Sequence, residues 1–437
     1  MAALQMSTAV SLLTAGANML LMYSGLVGGP PPAVSASPAP LPEGLASGVG
    51  VATTAAEPTP VATSVAEAPP AVPQPAARIV IAPAWPADSV FVEEPAAEEV
   101  PVPSALPQPR TSARILKPST FSVPGEVVNA TIRVVKLGGS GTRTSEVVLG
   151  GAKALPFRHF EGETGHRPVV AMEVFDQIPK NYPDSLRAAY GDRLNDPARM
   201  ARYCVEKLGA EAISVRLWGT HPDNGDRSPE AAAEVVGKVL KAVGVPLIVT
   251  GPSHYEKNNA VMKLIASTFA GENLLLNWVE TDNYKTVGAA AMGYNHCLVA
   301  QTPIDVNLAK QLNILLTNLG LPPEKIVIDA LTGALGYGLE YTYSVMERIR
   351  STALLGDSML AMPILGTPGF EVAKIKESKA PESAFPLWGP EEARGALLEI
   401  STAMGLLNAG ADLLIMYHPT AARTVKSKIA EMTRIEE

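Results

Sequence analysis

AISVRLWGT at residues 212–220, RSPEAAAEVVGKVLKAVG at 227–244 and PLIVTGP at 246–252 read in turn as a strand, a helix and a strand. The outer two are short apolar runs rich in β-branched residues and bounded by Gly or Pro. The middle segment opens with Ser228 as N-cap and Pro229 in the first turn, continues with early glutamates and closes on Lys and Gly. That is the order that exposed helix-end donors and the macrodipole favour. Outward from this unit the alternation persists, with PVVAMEVFD (168–176) before it and NLLLNWVE (273–280), HCLVAQTP (296–303), KIVIDALTG (325–333), MLAMPILGT (359–367) and ADLLIMYHP (411–419) after it. Asp305 opens a second clear helix, VNLAKQLNILLTNLG, which Gly320 ends. Eight strands in strict βα alternation over about 270 residues predict a (β/α)₈ TIM barrel spanning 167–437. A doubly wound open sheet is the alternative, but it usually has fewer strands and a glycine-rich first turn, which MEVFDQIP lacks.

Ahead of the barrel, residues 113–166 read as an extended lead-in and a β-hairpin. TIRVVKLGG and SEVVLGG alternate at period two around Gly139-Ser140-Gly141-Thr142, and such a hairpin could cap the barrel's bottom. Residues 30–112 hold about half of the 39 prolines in an Ala/Pro/Val/Ser background, which predicts a disordered linker. Residues 1–29 carry no charge and duplicate the end of the barrel: MSTAVSLLTAGANMLLMY (6–23) matches ISTAMGLLNAGADLLIMY (400–417) at a constant offset. The first basic residue is Arg78, so neither a positive n-region nor a positive-inside anchor flanks this apolar stretch. The expectation is a cytoplasmic protein without a membrane anchor.

A net charge of −8 leaves no electrostatic footprint for nucleic acid or anionic lipid. Cys204 and Cys297 cannot supply the four thiolates of a cubane cluster, so any iron–sulfur cluster must sit on a partner. None of the six histidines pairs with another at i,i+3 or i,i+4, and no metal site is predicted.

In such a barrel the site faces the C-terminal strand ends. There the sequence places Glu173, Asp176, Arg216, Trp218, Thr250, Asn277, Glu280, Gln301, Thr302, Asp329, Tyr417 and His418. No recognisable catalytic motif joins them, and no catalytic residue is assigned. Glu173, Glu280 and Asp329 suit general acid/base work, or equally a structural role holding loop amides or an arginine. The most informative stretch is IDALTGALGYGLEYTYSVMERIR (328–350). Within it Thr332, Gly333, Leu335, Gly336, Tyr337 and Gly338 form a candidate cofactor-binding loop, with Asn277 a further candidate. The three glycines permit positive φ and close backbone approach, and Tyr337 adds a flat face. A turn that merely needs glycine remains the other reading. The following helix, with Met346, Ile349 and Leu354 on one face and Glu347, Arg348 and Arg350 elsewhere, reads as an ordinary barrel helix.

GGSGTRTSEVVLGGAKALPFRHFEGE (138–163), RPVVAMEVFD, GENLLLNWVETDNYK (271–285), PIDVNLAKQLNILL (303–316), GALGYGLEYTYSVMERIR and the terminal ISTAMGLLNAGADLLIMYHP together resemble the small subunit of the corrinoid iron–sulfur protein. That family includes the delta subunit of the archaeal acetyl-CoA decarbonylase/synthase complex. The quoted motifs place the likeness from about residue 131 to the C-terminus, with residues 1–110 outside it. The resemblance implies a noncatalytic subunit of a heterodimer. The large subunit would carry the cluster and bind a corrinoid (cobalamin), shared with this barrel. It also implies a methyl group passing from a methyltetrahydropterin methyltransferase to acetyl-CoA synthase, in the reductive acetyl-CoA pathway. An autonomous pterin-dependent methyltransferase of the dihydropteroate-synthase-like class is the alternative.

Because the proline-rich composition cannot bury enough apolar surface to offset the entropy of ordering, a chain truncated before Ser112 is expected to melt in one cooperative transition with an unchanged midpoint. Calorimetry checks this. Loss of cooperativity on truncation would show that the N-terminal copy packs into the barrel.

Overall fold

A computed structural model of the chain describes residues 130–433 apart from Phe160 and Ala334. The expectations for the apolar segment 1–29 and the linker 30–112 lie outside the described residues, as does the lead-in before Ala130. An antiparallel hairpin, β1 (Val135–Gly138) and β2 (Glu146–Leu149), comes first. Eight parallel strands follow: β3 (Val169–Phe175), β4 (Ala212–Arg216), β5 (Leu247–Thr250), β6 (Leu275–Val279), β7 (Cys297–Gln301), β8 (Ile326–Asp329), β9 (Ile364–Gly366) and β10 (Ala411–Met416). Each pairs with the next, and β10 returns to β3, so the sheet is a closed barrel rather than an open one. Helices fill the connections. Ser228 Oγ accepts from Ala231 N at 3.2 Å, and Asp305 Oδ1 from Asn307 N at 2.7 Å, as the capping signals require.

All eight strands fall within the predicted runs, but β9 is much shorter than its run. Residues from Met359 form a turn instead, with Leu360 N on Asp357 O and Met359 N on Asp357 Oδ1. Pro363, which has no N–H to give a ladder, stands immediately before β9.

Side chains alternate about the barrel wall, and the outer face and the lower half of the inner face are apolar, as a sheet covered on both sides demands. Outward residues such as Val170, Met172, Ile213 and Val215 pack against the helices. In the lower half of the interior, Val169, Ala171, Ala212, Ile248, Leu275, Val299, Val327, Leu365 and Leu413 form a separate cluster. Val135, Leu137, Val147 and Leu149 of the hairpin complete it, so β1–β2 is the plug of the barrel's bottom. Burying each of those four is worth about 1.5–3 kcal/mol.

What seats the plug is its turn. Asn273 Nδ2 donates to Lys136 O and Gly138 O at 2.9 and 3.1 Å, and Glu272 accepts from Thr142 N and Oγ1. Gly150 has φ +82° and its missing Cβ would lie 2.0 Å from Arg133 O, so only glycine fits where the hairpin leaves for β3. Arg143 is buried, with Nε on Glu272 at 3.1 Å. Its other nitrogens donate to Leu240 O, Val243 O and Val245 O, at and just beyond the end of the helix Pro229–Ala242. One guanidinium thus satisfies the orphan carbonyls of a barrel helix and holds the plug in place.

Arg143→Met is expected to cost about 3–5 kcal/mol, since it removes the counter-charge of Glu272 and leaves three carbonyls without their donor. Breaking the exposed Lys136–Glu146 pair, 3.2 Å apart, should cost under about 1 kcal/mol. Urea midpoints of the two variants check this, and equal effects would refute the role given to Arg143.

Candidate functional site

The upper half of the barrel interior is polar. Glu173, inward-facing on β3, accepts from Ser214 Oγ (2.7 Å) and Arg216 Nε (2.7 Å), both on β4, and from the hydroxyl of Tyr417, which follows β10. Ser214 Oγ continues to Thr250 Oγ1 at 3.3 Å, and Asn277 Nδ2 donates to the same hydroxyl at 3.1 Å. Burial works against the charge of Arg216, but the carboxylate beside it more than offsets that and raises its pKa. The guanidinium carbon lies 3.8 Å from the centre of the Phe370 ring, a cation–π contact across the mouth, and Trp218 meets the same ring edge-on.

Asp329, at the end of β8, is fully buried and takes Leu331 N on Oδ1 at 2.8 Å. Burial pushes its carboxyl up to about 7 against that one amide bond. Glu280 accepts from the Tyr255 hydroxyl and, at 3.4 Å, from Gln301 Nε2. All three candidate acids therefore hold an arginine, a loop amide or a neighbouring side chain. Asn277 Oδ1 and Thr302 Oγ1 are buried without a partner among the described residues.

The loop between β8 and the helix Leu339–Leu354 is anchored at its base and open at its tip. Thr332 is buried and its Oγ1 accepts from Thr367 N at 3.3 Å, while Thr342 Oγ1 donates to Leu331 O at 3.1 Å. Leu335 is buried as well. Gly336 (φ +93°) and Gly338 (φ +147°) use the freedom expected of them; Gly333 does not, and Leu331 takes a left-handed conformation (φ +62°) in the same turn. A Cβ on Gly336 would meet Ile375 Cγ2 at 3.3 Å, so this glycine admits a neighbouring loop. Tyr337 stands 91% exposed at the tip, and Tyr341 is exposed one turn later. Of the candidate residues, Gly333, Gly336, Tyr337 and Gly338 lie on the outer rim, Thr332 and Leu335 form the loop's footing, and Asn277 lies within the barrel.

A second rim element escaped the sequence reading. Before the helix Glu391–Ala409, Phe385 and Trp388 stack with centroids 4.1 Å apart and Leu387 is 97% exposed. Buried Arg394 holds this loop from below through Ala380 O, Phe385 O and Gly389 O. Two of the histidines have a structural role at the helix starts. Nδ1 of His254 and of His418 accepts the N–H of Lys257 and of Thr420, so imidazoles N-cap two barrel helices. Both cysteines are buried, with thiols pushed up by burial to about 12 (Cys204) and about 11 (Cys297). Neither is disposed to act as a thiolate ligand. No group of three or more His, Cys, Asp or Glu among the described residues could hold a metal ion, and no helix among them is long and apolar enough to cross a membrane.

A family profile described as the CO dehydrogenase/acetyl-CoA synthase delta subunit matches residues 134–433, the hairpin and the whole barrel. The chain belongs to this delta-subunit family. The acetyl-CoA decarbonylase/synthase complex subunit delta of Archaeoglobus fulgidus is 37% identical over 357 residues, covering 80% of this chain and 76% of that relative. The corresponding subunit of Methanothermobacter thermautotrophicus is 39% identical over 324 residues, covering 74% and 80%. The first match is longer than the span from Thr131 onward, so it reaches back into the proline-rich stretch, past the limit set by the quoted motifs. A dihydropteroate synthase from Xanthomonas albilineans is 15% identical with a TM-score of 0.40, covering 61% of this chain and 94% of that one.

In this delta-family barrel the raised pKa of Asp329 makes a pH prediction. Between the ordinary carboxylate value and about 7 the folded state binds more protons than the unfolded state at this site, so its contribution to stability falls as pH rises through that window and is level above it. Asp329→Asn removes the dependence. Its stability relative to wild type should rise from pH 4.5 to 7 by up to a few kcal/mol and then stay constant. Denaturant midpoints across pH 4.5–8.5 check this, and a pH-independent difference would refute it.

Proposed function

We propose that this chain is the delta subunit that covers a corrinoid held by a larger partner subunit. In this reading the heterodimer carries a methyl group between a methyltetrahydropterin methyltransferase and acetyl-CoA synthase. The observation that carries the reading is the form of the mouth. Inside it, Glu173, Arg216, Ser214 and Tyr417 are spent on one another, and Arg216 with Phe370 crosses the opening. Outside it, the rim offers Tyr337, Tyr341, Phe385, Leu387 and Trp388 to whatever docks there. Exposed aromatic and aliphatic side chains gathered on one rim are the composition of a contact surface, whereas a small-molecule enzyme would keep a concave pocket with a few unspent polar groups converging in it.

A corrinoid suits such a rim. The Tyr337 ring and the Cβ-free backbone at Gly336 and Gly338 would lie against a broad, flat macrocycle, and the apolar rim would keep water from its face. When bound, the corrinoid supplies the cobalt centre that accepts and releases the methyl group. This chain's residues orient the group and exclude solvent. The cluster would rest on the partner, because Cys204 and Cys297 are both buried with raised pKa values.

Tyr337→Ala tests the reading with little risk to folding, since the side chain is almost wholly exposed. In the co-expressed heterodimer, melting should be unchanged while cobalt retention or methyl-transfer rate falls about tenfold, equivalent to roughly 1.4 kcal/mol. Full cobalt content and transfer rate in that variant would sink the role of the rim. Methylation of free cobalamin by the isolated chain would favour an autonomous methyltransferase instead.

A further inference from the structure

A cavity of about 380 Å³ opens at the opposite, N-terminal end of the barrel, between the lead into β3 and the start of β10. Arg350, Arg167, His159, His166, Thr164 and Thr433 contribute to its wall. Arg350 is the unusual member. It sits in the last turns of the helix Leu339–Leu354, where the sequence suggested a solvent-facing residue, yet it is only 3% exposed. Its Nη2 donates to Gly410 O and to Asp412 Oδ2, both at 2.5 Å, while Nε and Nη1 have no acceptor.

A buried guanidinium with unmet N–H groups is destabilised by each group left unpaired, so a ligand that meets them is favoured. Asp412 does not relieve this, because its Oδ2 meets only Nη2, together with Ile364 N at 2.8 Å, and leaves Nε and Nη1 without an acceptor. The rest of the wall adds donors. The exposed His166 ring has no hydrogen-bond partner among the described residues, whereas His159 is occupied between Met432 O (3.1 Å) and Thr164 Oγ1 (3.3 Å). Arg167 is paired with Glu211. The wall therefore offers three unused donors, Arg350 Nε and Nη1 and the His166 ring, beside one carboxylate, Asp412, whose Oδ2 is already taken by Arg350 and Ile364.

We propose that this cavity binds an oxyanion-bearing group, a carboxylate or a phosphate, with Arg350 as its main anchor and His166 as a second donor. Charge-assisted bonds from a guanidinium to such oxygens are the strongest this donor can make. The volume exceeds that of one oxyanion, so there is room for the body that carries it. Two sources share this chemistry: a small anionic molecule from solution, or Glu436 and Glu437, which follow Thr433 in the chain. The site lies on the face away from the mouth, so its occupancy reads out in stability and is independent of the proposed methyl carriage.

The test uses the full chain with inorganic phosphate as probe, against chloride at matched ionic strength, followed by thermal melting and by the ³¹P line width of phosphate. Phosphate should raise the melting temperature saturably by several degrees and broaden the line. His166→Ala, at an exposed position that leaves folding intact, should weaken the phosphate midpoint several-fold. Arg350→Lys, which keeps a charge beside Asp412 but removes the unpaired donors, should abolish the effect. A Glu436→Gln/Glu437→Gln double variant identifies the source. Tighter phosphate binding in it means that the chain's own carboxylates occupy the cavity; an unchanged midpoint means that a solution anion does. Melting that follows ionic strength alone, with unbroadened phosphate in both wild type and the double variant, would overturn the proposal.

Discussion

One buried carboxylate organises the upper half of this barrel. Glu173 on β3 is out of water, and an unpaired charge there would cost several kcal/mol, so the wall around it must supply donors. They come from β4, as Ser214 and Arg216, and from Tyr417 beyond β10, so the cluster spans the seam at which the last strand meets the first. Once Arg216 is drawn to Glu173, its outer face is free to stack on Phe370, in the helix Pro368–Lys374 that follows β9. The mouth is shaped by that chain of dependencies: a charge that must be paired fixes an arginine, and the arginine fixes an aromatic ring across the opening.

The lower half follows the opposite rule. Its inward residues are small or aliphatic, and a barrel open to water at that end would expose them. The hairpin solves this with four apolar side chains, and Arg143 bolts it to a helix end. A polar top whose charged groups pair with one another, leaving only Asn277 Oδ1 and Thr302 Oγ1 unmet in its wall, and an apolar, plugged bottom leave little of the interior for substrate. That is why the proposed function rests on the outside of the top, where two loops display aromatic and aliphatic side chains. It also makes the donor-rich cavity around Arg350 stand out, since it is on a face where stability would favour full pairing.

Several features were legible along the chain because they are local. The strands are continuous apolar runs, and helix starts at Ser228 and Asp305 are written in one residue and its next three. The hairpin and its plugging role were legible from a period-two pattern next to glycine-rich turns. Other features were not, because they depend on partners distant in sequence. Arg350 lies four residues after Met346, on the buried face of its helix, where its residue type gives no sign of burial; what pairs it there is Asp412, sixty-two positions later. Imidazole caps at His254 and His418 use an uncommon capping group whose role shows only in its geometry. The stacked Phe385–Trp388 pair gives no periodic signal in a loop.

What the sequence determined by itself is the number, order and type of elements, the apolar plug and the family, all of which reside in pattern and motif. The count of eight strands already pointed to a closed sheet; tertiary structure alone decided the pairing and register by which β10 returns to β3, because these depend on which distant backbones meet. It also decided the roles of the polar residues at the strand ends. Glu173, Glu280 and Asp329 are equivalent acids on paper; burial and the particular donors within reach make the first the hub of a network, the second a partner of Tyr255, and the third a carboxyl held near neutrality.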